Sequence, residues 1–400
     1  MFRVDTKEFL ILWIMSTIML TTVFVPLGLS ETSGPFVLGV GWLIMSGCYF
    51  YRVPFRRMTN GYKLFLAIIF LSITLGMIKN IFSESVDLNV YLWNLIFKAF
   101  PKILFLILIY FLISSIDDVS VIRISKKFVI IFIATIGLSI IAYELFPIHR
   151  FVWYASRFAA FHYELVNFSF TAFAAGIIVI YSKLKNEIAI YFAFATLSVL
   201  IYLVSKSNYV PIFIATVIFS VVLIKAPARL KSTLFLSYFT ILIGILLLLP
   251  SLLVYLENFL FLFPRTTGTL EDDSNPIWIR LHRHIFAMQY FFDNLFSVPN
   301  GFFNGGFDAD LSKLAFESWA GGSGLSKLFM DFGLLIIPFL SLLIGTFLKV
   351  LKTMDPENRR DQMYFILANL CFAYGYLQAG FFNFTSVTLF LLSLKYWKII

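Results

Sequence analysis

Long apolar runs separated by short polar segments are the dominant pattern of this chain. A helix of about 20 apolar residues crosses the hydrocarbon core of a bilayer, and roughly 17 suffice where the bilayer thins. Lipid offers no partner for an unpaired backbone group, so spanning segments of this kind must be helices. The pattern predicts an all-α polytopic membrane protein, a single integral domain over residues 1–400 with about twelve transmembrane helices. We assign the spans to residues 9–29, 35–51, 64–82, 91–113, 128–146, 164–182, 188–205, 209–224, 233–254, 325–348, 363–379 and 383–397.

One long polar segment, residues 255–324, interrupts this pattern between the ninth and tenth spans. Asn275 and Pro276, which follow three acidic residues, are typical of a helix N-terminus. Apolar positions at helical spacing then predict an amphipathic helix over residues 277–297. We expect this long loop to form a helical lid that lies on the membrane surface.

Lysine and arginine are concentrated in every second loop. These loops hold 20 of the 31 basic residues: Arg3, Lys7, Arg52, Arg56, Arg57, Lys63, Arg123, Lys126, Lys127, Lys183, Lys185, Lys225, Arg229, Lys231, Lys349, Lys352, Arg359, Arg360, Lys395 and Lys398. Because basic loops are retained in the cytoplasm during insertion, both termini are predicted to be cytoplasmic and the number of spans to be even. The long loop and all four histidines then belong to the outer side, where we expect the chemistry.

Composition excludes a soluble domain, since 60% of the residues are apolar, 13% are charged and the mean hydropathy is +0.89. The net charge of +9 follows from the basic loops, so we expect no nucleic-acid partner. Cys48 and Cys371 both lie inside predicted spans, where small core residues are a better interpretation than a disulfide or a metal pair.

The predicted helix of the long loop carries the first candidate site. Arg280, Arg283 and His284 are spaced i, i+3 and i+4, which places them on one helical face. Arginine binds phosphate oxygens in a bidentate manner, so a cationic face within an acidic loop indicates an anion site. The alternative is that these side chains contact lipid headgroups or pair with neighbouring acids.

Lys98 and Lys102 form a second candidate cluster, near the outer end of the fourth predicted span. Charged side chains inside a span are costly and usually mark a pathway or a site. A phosphate group entering from the outer leaflet would meet both lysines. The alternative is that both ammonium groups snorkel to the interface.

A third cluster precedes the sixth span. Arg150, Arg157, His162 and Glu164 place cations and a carboxylate together at the membrane surface. This arrangement suits a phosphate ligand beside a general base. The alternative is a single interfacial salt bridge. Lys206, in a short outer turn, adds a further cation.

No cluster of histidine or cysteine residues has the spacing of a metal site, so we expect neither a metal nor another cofactor. Asp308 and Asp310 could hold a divalent cation, but two acids in a glycine-rich loop are more often solvated.

Four segments resemble motifs of the bacterial O-antigen polymerases and the related O-antigen ligases. Residues 157–164 are similar to the Arg-Phe-x-Gly-x-x-x-Glu-Pro-Asn stretch of that family, without its glycine and proline and with Asn167 one position late. Residues 204–209 lie where the family often has a Ser-Arg-Gly turn. Residues 280–301 resemble its Arg-helix-Asn-Pro-x-x-Gly stretch. Residues 322–333 resemble its His-Asn-x-x-Leu … Glu-x-Gly segment, with Gly322 at the position of the histidine.

The resemblance implies a glycosyltransferase of the GT-C type that uses undecaprenyl-pyrophosphate-linked oligosaccharides in the bacterial inner membrane. Ligases of the family depend on the histidine, so its absence favours a polymerase. Arg280, Arg157, Arg283 and Lys98 would then bind pyrophosphate, and Glu164, or else His284, would act as the general base. A chain-length regulator is an implied partner. Two alternatives stay open: an O-antigen ligase, and a flippase for lipid-linked glycans.

Overall fold

The protein is seen here as a computed structural model. It describes residues 5–21, 33–52, 57–82, 92, 95–145, 158, 160–162, 165–207, 209–256, 291–293, 324–377 and 383–400. Within these ranges the chain forms helices and turns and no strand. The all-α prediction is therefore confirmed for this part of the protein.

Thirteen α-helices are present in the described ranges. In chain order they are α1 Thr6–Ser16, α2 Ser33–Arg52, α3 Asn60–Ile81, α4 Phe100–Ser114, α5 Asp118–Leu145, α6 Leu165–Lys183, α7 Glu187–Ser205, α8 Val210–Lys225, α9 Ala228–Leu256, α10 Gly324–Phe332, α11 Ile336–Thr353, α12 Arg359–Leu377 and α13 Phe384–Tyr396.

Two 3₁₀ turns and one π-helical turn adjoin these α-helices in the described ranges. A 3₁₀ turn, Thr17–Leu20, continues α1, and another, Gly333–Leu335, joins α10 to α11. A π-helical turn, Leu95–Ala99, leads into α4. Pro101 lies two residues after this turn and has no N–H to donate to a helical carbonyl, which is a physical reason for a wide turn at this place.

Polar residues between the apolar runs start several of these helices. Asn186 accepts hydrogen bonds from the backbone of Ile188 and Ala189, and Asn383 does the same for Thr385 and Ser386. Asp117 accepts from the backbone N–H of Ser120 at 2.7 Å, and hydrogen bonds from Ser120 lower the pKa of the Asp117 carboxyl. Side-chain acceptors of this kind satisfy the free N–H groups of the first helical turn.

Six helical runs in the described ranges are long and apolar enough to cross a membrane. They cover residues 60–79, 95–114, 118–142, 165–183, 187–205 and 328–353, and shorter apolar helices cover 36–51, 210–225 and 384–396. Each predicted span overlaps one of the thirteen helices. The chain is thus a multi-pass helical membrane protein, while the number twelve stays a prediction.

Helix α12 is the central helix, although its sequence is among the less apolar ones. Residues 361–375 are buried throughout, and α12 packs against α6, α8, α10 and α13. Its polar residues, such as Asn369, are therefore enclosed by other helices rather than by lipid. The outer helices show the reverse: on α5 and α7 apolar side chains such as Ile130 and Phe192 are 65% and 74% exposed.

Among the described residues, several of the basic loops meet at one end of the bundle. Glu8 on α1, which is completely buried, accepts hydrogen bonds from Arg123 and Lys127 on α5 at 2.8 and 2.7 Å. The ammonium groups of Lys7 and Lys395 donate to the carbonyl oxygens of Ser115 and Ser114 at the end of α4. Cations at this position also complement the negative end of the α4 dipole. We call this end of the bundle the basic end.

Two further contacts extend the basic end to the helices in the middle of the chain. Arg359, at the start of α12, lies 3.5 Å from the carboxylate of Glu187 at the start of α7, and Lys225 at the end of α8 pairs with the same carboxylate. Loops that the charge alternation predicts on one side are therefore neighbours in space.

Candidate functional site

Most of the predicted site residues lie outside the described residues. This applies to Arg150, Arg157, Glu164, Arg280, Arg283 and His284, and to almost all of the long loop 255–324 with Asp308 and Asp310. Lys98 is described only by its backbone, within the π-helical turn. Lys102, His162 and Lys206 are described, as are many residues close to the others in the sequence.

The side chain of Lys102, on α4, is half-buried in the helical bundle. Its ammonium nitrogen is 3.9 Å from the centroid of the Phe384 ring, at the start of α13. A cation over a ring face gains about 0.5–2 kcal/mol, depending on desolvation. Lys102 precedes Ser114 by twelve residues, which corresponds to about 18 Å along α4, so it is distant from the basic end. The backbone of Lys98, four residues before Lys102, belongs to the π-helical turn.

The segment around Phe158 is held at the end of the bundle opposite the basic end. The backbone N–H of Phe158 donates to the carbonyl oxygen of Val204 at 3.0 Å. The carbonyl oxygen of Phe161 accepts from the hydroxyl of Thr21, which follows α1, at 2.9 Å. Two of the motif-like segments, 157–164 and 204–209, are therefore in direct contact. We call residues 158, 160–162 and 204–207, with Thr21, the junction.

Both segments of the junction contain a residue in a left-handed backbone conformation. Ala160 has φ of 49° and is completely buried, and Lys206 has φ of 47° where α7 ends. Non-glycine residues adopt this region at an energetic cost, and such strain is concentrated at functional sites. The side chain of Lys206 is exposed at this end of the protein.

His162 is the buried titratable residue of the junction. It is 1% exposed, lies against the rings of Phe132 and Phe168, and has Nε2 3.3 Å from the hydroxyl oxygen of Thr171. The hydroxyl of Thr171 donates its one hydrogen to the carbonyl oxygen of Asn167 at 2.8 Å. Its oxygen is left to accept, so this network assigns the Nε2 proton to His162.

Polar contacts fix the first turns of α6, which begins one residue after Glu164. The hydroxyl of Tyr374 on α12 donates to Oδ1 of Asn167 at 2.6 Å, and the Tyr374 ring stacks on Phe170. The hydroxyl oxygens of Ser169 and of Ser205 on α7 lie 3.2 Å apart. Together these contacts connect α6 to α7 and to the central helix beside the predicted general base.

The other two motif-like segments also meet. Phe291, in the described part of the long loop, is helical and 7% exposed, and its ring packs on Phe329 of α10 at a centroid distance of 4.8 Å. The helical state of residues 291–293 agrees with the predicted helix 277–297. Asp331, at the Glu position of the fourth motif, is 2% exposed, and Gly333 adopts φ of 51° where α10 ends.

Sequence reasoning missed Tyr374, Thr171 and Thr21 as contributors to this region. Each is an uncharged polar residue in an apolar run, and the sequence does not distinguish such a residue from the many polar residues that are simply buried in a helical core. The one usable signal is that polar side chains inside a spanning segment rarely face lipid. Their partners, however, lie on other helices and could not be identified from spacing.

Within the described ranges there is no group of three histidine, cysteine, aspartate or glutamate residues that could hold a metal ion. No protein-family model, curated protein or solved structure matches this chain. The geometry of the junction, together with the topology, is therefore the evidence from which a function can be inferred.

Proposed function

We propose that this protein is a bacterial O-antigen polymerase. It would transfer a growing glycan from undecaprenyl pyrophosphate to a hydroxyl of another lipid-linked repeat unit. The observation that carries the proposal is the hydrogen bond from Phe158 to Val204. It joins two segments that resemble separate family motifs, and it does so at the end of the bundle remote from the basic loops.

The proposed topology follows from the basic end. If that end is cytoplasmic, as the retention of basic loops predicts, the junction and the long loop face the periplasm of the inner membrane. Both termini are then cytoplasmic, and twelve spans of a GT-C-like bundle satisfy the alternation. Lipid-linked glycans would reach the site laterally from the outer leaflet of that membrane.

The proposed reaction is a substitution at the anomeric carbon of the donor. The acceptor oxygen forms the new glycosidic bond, the bond to the pyrophosphate oxygen breaks, and the acceptor proton passes to a base. Glu164 is our candidate for this base, with His284 as the alternative. The developing charge of the leaving pyrophosphate would be met by Arg280, Arg157, Arg283 and Lys98, because fixed cations stabilise such charge strongly in a site shielded from water.

Lys102, Arg150 and Lys206 would add to this positive field. The position of Lys102 supports a role of this kind, since its ammonium group is held over Phe384 well away from the basic end. Pyrophosphate bound by arginine and lysine requires no metal and no other cofactor. A chain-length regulator is the proposed protein partner.

The test is polymerisation by the purified protein in detergent. Undecaprenyl-pyrophosphate-linked repeat units are incubated with the protein and EDTA, and the products are separated on a gel. A ladder of lengthening glycans is expected. Arg280→Ala should remove about 3–4 kcal/mol of transition-state stabilisation, and Arg280→Lys should restore little of it if the contact is bidentate.

Arg229→Ala is the matched control, because Arg229 is exposed near the start of α9 in a predicted cytoplasmic loop. Near-wild-type polymer from Arg280→Ala would refute the assignment of that residue. Unchanged substrate with the correct repeat unit would favour a flippase. Transfer to a lipid A core acceptor, without a ladder, would identify a ligase.

A further inference from the structure

A cavity of about 560 Å³ opens near the basic end, away from the junction. Its described walls belong to α3, α4, α11, α12 and α13, with Tyr62, Phe339 and Phe390 among the apolar lining residues. This volume lies within the range of about 300–1,000 Å³ that is typical of sites for small molecules. No step of the proposed reaction uses this cavity.

Three of the hydroxyl groups that line the cavity are already hydrogen-bonded within the protein. The hydroxyls of Thr346 and Ser386 donate to carbonyl oxygens of their own helices at 2.8 and 3.1 Å, and that of Tyr62 donates to Leu106 at 2.7 Å. A cavity holds water well only where several polar partners remain available. The interior therefore suits hydrocarbon better than water or a sugar.

The dimensions of the cavity match one leaflet of a bilayer. Along α11 its lining extends from Phe339 to Lys349, ten residues and thus about 15 Å. The hydrocarbon core of a bilayer is about 30 Å thick, so the cavity reaches about half of that depth. It also opens sideways: Gly345 lines it, is exposed, and has no atom within 4 Å of the place where a Cβ would lie.

A lysine lies at the rim of the cavity. Lys349 lines it, is exposed, and has no ion pair among the described residues. An apolar interior one leaflet deep beneath a lysine is complementary to an acyl chain attached to an anionic headgroup. Lysines close to a membrane surface attract anionic lipids.

We propose that this cavity binds one acyl chain of an anionic phospholipid from the leaflet at the basic end, with the lipid phosphate at Lys349. The polyprenyl chain of the proposed donor is the competing occupant. It fits less well, because its pyrophosphate belongs at the junction, at the opposite end of the bundle.

The test uses the full chain in vesicles of phosphatidylcholine with a minor fraction of phosphatidylglycerol that carries a photoreactive group in one acyl chain. After irradiation, labelled peptides are mapped by mass spectrometry. Labelling of α3, α11 and α13 is expected. Gly345→Trp should lower it about tenfold by blocking the side opening, whereas Gly137→Trp, at an equally open glycine of α5, should not.

The headgroup is tested separately. Lys349→Gln should reduce labelling by phosphatidylglycerol to the level of photoreactive phosphatidylcholine, while Lys352→Gln, one turn away and outside the lining, should not. Equal labelling by both lipids in the unaltered protein would refute the anionic assignment. Displacement by undecaprenyl phosphate, or labelling no stronger than on the lipid-facing side of α5, would refute the proposal.

Discussion

Phe158 and Val204 are joined by a 3.0 Å backbone hydrogen bond, although 46 residues separate them along the chain. This bond attaches the segment before α6 to the end of α7. A carbonyl in the last turn of a helix has no partner within that helix, so Val204 provides an acceptor that an extended neighbouring segment can use. The loop before α6 is thereby fixed to the turn that carries Lys206.

The strained residue of that loop provides the first prediction. Ala160 is buried with φ of 49°. Ala160→Gly should be tolerated, because relief of about 1–2 kcal/mol of left-handed strain offsets the greater entropy of glycine in the unfolded chain. Ala160→Val should lower the free energy of unfolding by about 2 kcal/mol or more, through both strain and overpacking. Thermal unfolding in detergent, followed by size-exclusion chromatography, measures both changes.

Ala195→Val is the control for the introduction of a β-branched side chain, because Ala195 lies on the exposed side of α7. Its effect should stay within about 0.5 kcal/mol. Equal melting temperatures for Ala160→Val and Ala195→Val would mean that the left-handed conformation of Ala160 does not affect the stability of the protein.

The second prediction concerns Tyr374. Tyr374→Phe removes the hydrogen bond to Asn167 and keeps the stacking on Phe170. A single hydrogen bond contributes about 1 kcal/mol to stability, so the protein should remain folded. If α6 positions Glu164 for catalysis, the rate of glycan transfer should fall by more than the small loss of folded protein can explain.

Tyr364→Phe is the matched control. Its hydroxyl contacts Ser125 at 3.2 Å and its ring stacks on Tyr396, both near the basic end. The two variants should show similar melting temperatures, but only Tyr374→Phe should show reduced turnover with an unchanged KM for the lipid-linked donor. A parallel decline in both variants would assign Tyr374 a purely structural role.

Buried charge at the basic end provides the third prediction. Glu8→Gln leaves Arg123 and Lys127 without their shared carboxylate. Removal of one partner of a fully buried pair costs about 3–5 kcal/mol, but Arg123 is half-exposed, so we expect about 2 kcal/mol. Glu187→Gln, at an exposed pair, should cost less than about 1 kcal/mol. Similar melting temperatures for the two variants would contradict this ranking.

The fourth prediction concerns topology. In a protein with Cys48→Ser and Cys371→Ala, Lys206→Cys should react with a membrane-impermeant maleimide in spheroplasts. Lys185→Cys should react only after the membrane is permeabilised. Both lysines are exposed in short turns between helices, so accessibility within the protein is comparable. Reaction of Lys185→Cys in intact spheroplasts would overturn the proposed orientation.

Where the helices lie was determined largely by the sequence alone. Each predicted span overlaps a helix, because a backbone in lipid must satisfy its hydrogen bonds locally and apolar runs mark where that happens. The alternation of basic loops likewise predicted which helix ends are neighbours, and the contacts of Lys7, Glu8 and Arg359 agree with that grouping. These features are local, or depend only on the order of the spans.

Which helices touch was decided only by the tertiary structure. The central position of α12, the contact of Phe291 with Phe329, and the pairing of Tyr374 with Asn167 depend on the three-dimensional packing of segments distant in sequence. Apolar runs look alike whether they face lipid or protein, because both environments are equally apolar. Hydropathy can therefore locate the helices of this protein, but the junction and the lipid-sized cavity arise only when those helices pack.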